Sequence, residues 1–258
     1  MSLLSTVHRG APLSPALNTH NSVLNSAGVM LRRSQFSMIA AAPGVGKSVF
    51  ATNLALRMKV PTLFLSADSD EWTVRSRACS ILTGVPLDTV EQNLNSEDEA
   101  WDSWFAEHLG QANHVDWCYQ SDIDTEFIAL RLKAYEEVRG YSPELIVVDN
   151  LSNTVADQAN EYAELRGTCR ELQAIARIEQ AHVMALHHVT GNKEDGQQEI
   201  GLGDLLGKLG KIPEVVLGLN HRGADGLNVH IAKNRGGPSG GSVYMDISYK
   251  SATIGGYR

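Results

Sequence analysis

Residues 41–50 read AAPGVGKSVF, and the reading of that stretch decides the fold. Gly44 and Gly46 flank a valine, and a lysine, a serine and an apolar helical pattern follow. Glycines so placed let successive backbone N–H groups turn inward around an anion, and the N-terminus of a helix behind them adds its positive dipole end. The loop has the P-loop pattern, with Ala41 where a glycine often stands. Ala42, Pro43, Gly44, Val45, Gly46, Lys47, Ser48 and Val49 are therefore expected to wrap the phosphates of ATP. Lys47 brings a point charge to the β- and γ-phosphates, and the Ser48 hydroxyl is a ligand for Mg2+.

The flanks supply the context this motif needs. QFSMIAA (35–41) is a short apolar strand leading into the loop, and KSVFATNLALRMK (47–59) spaces Phe50, Leu54 and Met58 as one helical stripe. Further out, apolar runs alternate with helical patterns, which predicts parallel strands covered by helices. TLFLS (62–66), HVDWCY (114–119), ELIVVDN (144–150), HVMALHH (182–188) and EVVLGLN (214–220) read as strands. ELIVVDN is nearly all apolar, as in strands covered on both faces.

Helices are expected between them. One places Trp101, Trp104, Phe105, His108 and Leu109 on a face read as aromatic core rather than a base-stacking platform. A second turns Phe127, Leu130, Ala134, Tyr135 and Val138 inward, and a third Leu165, Cys169, Leu172 and Ala176. The tail from Leu227 to Lys250 reads as a β-hairpin. Residues 1–34 form an irregular or partly helical lead-in, and residues 35–258 one α/β domain.

Composition narrows the function. The chain has 258 residues, and its 22 basic against 30 acidic residues give a net charge of −8. That excludes a uniformly basic surface that coats nucleic acid, but not contact through a few local loops. Cys79, Cys118 and Cys169 form no CxxC pair, as in a reduced, cytoplasmic protein without structural zinc. No apolar run approaches the roughly 18 residues of a membrane span.

Asp149, closing an apolar strand, is the expected second anchor for Mg2+, reached through water. Hydrolysis also needs a group that orients or deprotonates the attacking water. FLSADSDE (64–71) offers Asp68, Asp70 and Glu71; Asp68 is the preferred base, and the other two suit the opening of the next helix. At the tip of HVMALHH, adjacent histidines point to opposite faces. His188 is expected to face the nucleotide, and His187 to be a packed, hydrogen-bonded core residue.

The order IAAAPGVGKS, FLSADSDE, LIVVDNLS, MALHHVTG, VVLGLNHR and IAKNRGGPSG resembles the RecA-like ATPase domain of DnaB-type replicative helicases, from about residue 35 to 250. The most specific pieces are the alanine leading the loop, the acid two residues after Ser66, and AKNRGGPSG. The resemblance implies a RecA-like P-loop core with a mostly parallel central sheet flanked by helices. It aligns Asp68 with a catalytic glutamate, His188 with a glutamine that senses the γ-phosphate, and Arg77 with an arginine of the following helix. Lys233 and Arg235 align with a basic pair reaching a neighbouring subunit's γ-phosphate. By residue content alone, KNRGG is an ordinary basic turn.

Two departures stand out: Asp68 is one methylene shorter than glutamate, and His188 replaces an amide with a titratable ring. From the length, a bare motor core without an N-terminal helical domain is expected, as in some phage-type or recombination ATPases. Segments 152–161 and 190–211 are expected to meet nucleic acid, the second through Lys193, Lys208 and Lys211. The implied activity is ATP-driven translocation on single-stranded or forked DNA by a homo-oligomeric ring, expected to be a hexamer with active sites at subunit interfaces. Alternatives are a recombination ATPase that switches on DNA without unwinding, a metal-dependent nuclease built on Asp68, Asp149 and His188, and a small-molecule kinase.

Overall fold

The computed structural model describes residues 15–94, 96, 98–154, 161–189 and 193–257. Among these, eleven strands run in chain order as β1 (Ala16–Leu17), β2 (Leu31–Arg32), β3 (Phe36–Ala41), β4 (Thr62–Ser66), β5 (Val115–Cys118), β6 (Leu145–Asp149), β7 (His182–His188), β8 (Val215–His221), β9 (Gly226–Asn234), β10 (Ser242–Ser248) and β11 (Thr253–Ile254). The helices are α1 (Ser22–Ser26), α2 (Lys47–Met58), α3 (Glu71–Thr83), α4 (Leu87–Leu94), α5 (Glu99–Gly110), α6 (Thr125–Arg139) and α7 (Glu161–Ile178), with short 3-10 turns at Leu151–Thr154, Leu202–Asp204 and Leu206–Lys211.

Strands β3 to β11 form one sheet in the order β11-β10-β9-β8-β3-β7-β6-β4-β5. From β8 to β5 every pairing is parallel, and β9, β10 and β11 add antiparallel strands at one edge. The expected hairpin is β9–β10, with two-residue β11 as a further strand. Strands β3, β4 and β6 are buried along their whole length. Helices on both faces explain why their sequences show no alternation.

Residues 15–34 pack onto this core. Leu17, Leu24, Val29 and Leu31 are buried in it. Asn21 caps α1 by accepting from Val23 and Leu24 N–H, and its amide donates to the Gly255 carbonyl at 3.0 Å. The tryptophans behave as a small core. Trp101 and Trp104 pack with Phe105, Cys79 and Val90 between α3, α4 and α5, and His108 lies 4.3 Å from the Trp104 ring.

Helix α6 differs from expectation. Tyr135 is buried, but with Ile128 and Leu132, while Leu130 and Val138 are 63% and 82% exposed. Two apolar stripes with helical spacing compete on this helix. Asp124 caps its start through Phe127 N–H, and the Arg139 guanidinium forks onto the Asp116 carboxylate of β5, with Nε donating to Oδ2 at 2.8 Å. Those two pins set the rotation. Among the described residues no helix is long and apolar enough to cross a membrane.

Candidate nucleotide site

In a parallel sheet the C-terminal strand ends share one edge. Here that edge gathers the loop after β3, Asp68 two residues past β4, Asp149 closing β6 and His188 closing β7. Ligands of open α/β sheets bind at this edge.

The loop takes the shape its glycines permit. Gly44 and Gly46 have φ of 78° and 104°, where a side chain would be strained. Gly46 starts α2, and no side chain caps that helix. The first-turn N–H groups of α2 thus have no side-chain acceptor, the arrangement that suits a phosphate.

Lys47 is buried, and its Nζ donates to His188 Nδ1 at 3.0 Å. Burial lowers the Lys47 pKa to about 8, against the opposing pull of Asp149 and Asp68. Because His188 Nδ1 accepts that hydrogen bond, its neutral ring carries the proton on Nε2. That nitrogen faces Asp68 Oδ2 at 3.5 Å. Burial, with Lys47 nearby, holds the His188 pKa below the ordinary histidine value. Lys47, His188 and Asp68 therefore form one connected row.

Asp149 pairs in register with Ser66 of β4 and has the Ser48 side chain beside its carboxylate. Burial raises its pKa to about 6, and its Oδ1 is buried without a hydrogen-bond partner. A buried unpaired carboxylate oxygen is costly. Beside the Ser48 hydroxyl it presents hard oxygen donors of the kind that suit Mg2+. Among the described residues no group of three His, Cys, Asp or Glu side chains is arranged to hold a metal.

Asp70 and Glu71 open the next helix, as expected. Asp70 caps α3, accepting from Thr73 N–H at 2.7 Å, and Glu71 pairs with Arg75 one turn on. Arg77 reaches Ser69 Oγ at 3.3 Å and adds positive charge near Asp149. His187 is packed, but it lacks the expected hydrogen bond. Both ring nitrogens are buried without partners, and burial lowers its pKa to about 4.

The other basic residues lie apart from this row. Lys193 donates to Asp204 Oδ2 at 2.7 Å and to the Glu199 carbonyl at 2.6 Å. Lys208 and Lys211 are exposed on the 3-10 turn. Residues 155–160 and 190–192 of the two expected nucleic-acid segments lie outside the described residues. Lys233 donates to the Gly210 and Lys211 carbonyls at 2.9 and 2.8 Å. Arg235 is 55% exposed, with Nη1 3.5 Å from Glu214 Oε1.

Sequence reasoning missed three residues. Asn150 is buried and donates through Nδ2 to Asp68 Oδ2. Tyr249 donates to the Val45 carbonyl at 3.3 Å, and its hydroxyl lies 3.1 Å from His221 Nδ1. Asn150 stands directly after Asp149, so its position was a usable signal. Nothing local marks Tyr249 or His221, which long-range pairing brings to the loop.

The fold and the site define a RecA-like P-loop ATPase. A family model described as an AAA domain matches residues 20–194. The Gene 65 protein of Mycobacterium phage L5 is 37% identical over 260 residues, covering 95% of this chain and 92% of that protein. A protein named "Probable plasmid replicative DNA helicase" from Chlamydia muridarum (strain MoPn / Nigg) is 25% identical over 226 residues, which is 83% of this chain and 49% of that protein. A solved structure described as a DnaB-like replicative helicase superposes with a TM-score of 0.81 at 18% identity, covering 97% of this chain and 65% of that one. The chain belongs to the AAA domain family, and its fold is that of the RecA-like ATPase domains of DnaB-like helicases.

Proposed function

We propose that this chain is a DnaB-like DNA helicase motor that hydrolyses ATP while moving along single-stranded DNA as a ring. The observation that carries this reading is the Lys47–His188–Asp68 row beside the oxygen donors of Ser48 and Asp149.

In this reading the loop N–H groups and Lys47 bind the β- and γ-phosphates. At pH 7 Lys47, with a pKa near 8, keeps its proton and its charge. Ser48 and Asp149 would hold Mg2+, which would supply charge neutralisation at the phosphate oxygens. Asp68 orients the attacking water and takes its proton. His188 donates from Nε2 to Asp68 and accepts from Lys47 at Nδ1, so loss or gain of the γ-phosphate at Lys47 is felt at the base.

Arg235 serves a neighbouring subunit. Strand β9 runs antiparallel to β8 and sets Asn234 opposite Val215, whose partner in β3 is Ser37. Arg235 therefore lies at the start of β3, while the phosphate loop follows its end, about 20 Å away at ~3.3 Å per residue. From there it can stabilise charge only on a nucleotide held by another copy. Lys233, tied to two carbonyls, supports the 3-10 turn that presents Lys208 and Lys211 to the DNA backbone. Lys193 joins this contact when it leaves Asp204.

The test measures ATP turnover with and without single-stranded DNA, the mass of the assembly, and separation of a forked duplex. Stimulated turnover and strand separation in a hexamer support the motor. A monomer with DNA-indifferent turnover would overturn it.

A further inference from the structure

We infer that Asn150 is the positioning residue of the catalytic acid, fixing which oxygen of Asp68 acts as the base. The inference rests on the reading of Asp68 given above.

Asn150 follows Asp149 at the end of β6 and is only 2% exposed. Its side chain is held at both ends. Oδ1 accepts from Ser152 N–H at 2.7 Å, which settles the orientation of the amide. Nδ2 then points outward and donates to Asp68 Oδ2. The Nε2–H of His188 faces that same oxygen at 3.5 Å.

Both neighbours thus converge on Oδ2. The described residues place no hydrogen bond on Oδ1, and Asp68 keeps 38% of its side chain exposed. An aspartate at the tip of a strand can turn about its χ angles, and each rotation presents a different lone pair. The Asn150 donor, with His188 facing the same oxygen, restricts that motion and leaves Oδ1 as the accessible proton acceptor. Asn150 never touches the water or the phosphate; it acts through Asp68.

Its strand position carries a second consequence. Asn150 is bonded in sequence to Asp149, the magnesium residue, and reaches across to Asp68, the base. The metal anchor and the base are thereby set against one rigid strand end, which fixes their separation.

The experiment compares Asn150→Ala, Asn150→Asp, Asp68→Asn and the double variant Asn150→Ala/Asp68→Asn. DNA-stimulated kcat, nucleotide affinity by fluorescent-nucleotide titration, and melting temperature are read for each. Misplacing a reacting group by about an ångström costs up to about 100-fold. Asn150→Ala is expected to lower kcat by about 10- to 100-fold with nucleotide affinity nearly unchanged. Asn150→Asp keeps the size of the side chain and the acceptor for Ser152 N–H, so it guards against simple misfolding. It replaces the donor with a second carboxylate and should lower kcat at least as far. In the double variant the loss should equal that of Asp68→Asn alone, because Asn150 acts only through that carboxylate. Full kcat in Asn150→Ala together with an inactive Asp68→Asn would overturn this inference and leave the base assignment standing. A double variant markedly slower than Asp68→Asn would also overturn it. Full turnover in Asp68→Asn would remove the reading beneath both.

Discussion

The two edges of the central sheet handle polar groups in opposite ways. At the edge where β3, β4, β6 and β7 end, α2 starts without a side-chain cap and Asp149 Oδ1 is buried and unpaired. At the other edge, where β9 ends, buried Glu214 is well supplied. Its Oε2 accepts from Phe36 N–H at 3.0 Å and its Oε1 from Gln173 at 2.9 Å, with Arg235 at 3.5 Å and Arg177 at 3.9 Å. One edge is left electrostatically incomplete, in a form that an anion and a divalent cation would complete. The other is better supplied around Glu214, with the Arg177 and Arg235 guanidiniums left largely exposed. An unpaired buried carboxylate oxygen at a strand tip calls for a functional explanation.

The strongest break of this contrast is Lys47→Ala. Turnover should vanish, while the melting temperature of the nucleotide-free protein should hold or rise, because burial opposes the lysine charge. Wild-type ATP hydrolysis by a folded Lys47→Ala protein would remove the nucleotide assignment from this edge.

Arg235→Ala tests whether the two edges meet between subunits. It should bind ATP normally and lose about 10³-fold or more in turnover, as for arginine fingers elsewhere. Mixing it with Lys47→Ala should restore measurable hydrolysis, since some interfaces would then join an intact loop to an intact Arg235. Full activity of Arg235→Ala alone would confine the chemistry to one edge of one copy.

Asp68→Asn should keep nucleotide affinity and cut hydrolysis by about 100-fold, the usual loss for a general base. Asp70→Asn serves as the comparison and should leave hydrolysis and the start of α3 nearly unchanged, since asparagine caps a helix about as well as aspartate. If Asp70→Asn were the slower enzyme, the base would have to be reassigned within the same edge.

The smallest effect is on stability. The Asp149 pKa lies at about 6 in the folded protein against 3.8 unfolded. Between those values the native state holds more protons, so this group's contribution to stability falls as pH rises through that window. Asp149→Asn should flatten that slope and stabilise the nucleotide-free protein at pH 7 by about 1–2 kcal/mol, while weakening Mg2+-nucleotide binding. Urea titrations at pH 4.5 and pH 7 provide the check.

Much of this was legible in the residues because it is local. A strand, a glycine turn and an amphipathic helix are contiguous from Gln35 to Lys59, and acids or histidines at strand tips follow directly from where apolar runs stop. The parallel arrangement follows from alternating strands and helices, and it brings those tips to one edge. Asp68, Asp149, His188 and the phosphate loop can therefore be grouped from the residues alone.

Register, rotation and side-chain partnership were decided only in the folded molecule, because they depend on residues far apart in sequence. Helix α6 carries two plausible inner faces, and the Arg139–Asp116 pair on β5 selects one. Lys193 and Lys233 look like free cations in sequence, yet Asp204 and two carbonyls hold them. The antiparallel run of β9 sends Arg235 to the edge opposite its own phosphate loop. Asn150 gains its meaning only when β4 and β6 lie side by side and bring Asp68 within its reach. Sequence determines which groups a strand tip carries, whereas the direction and pairing of strands determine which groups meet.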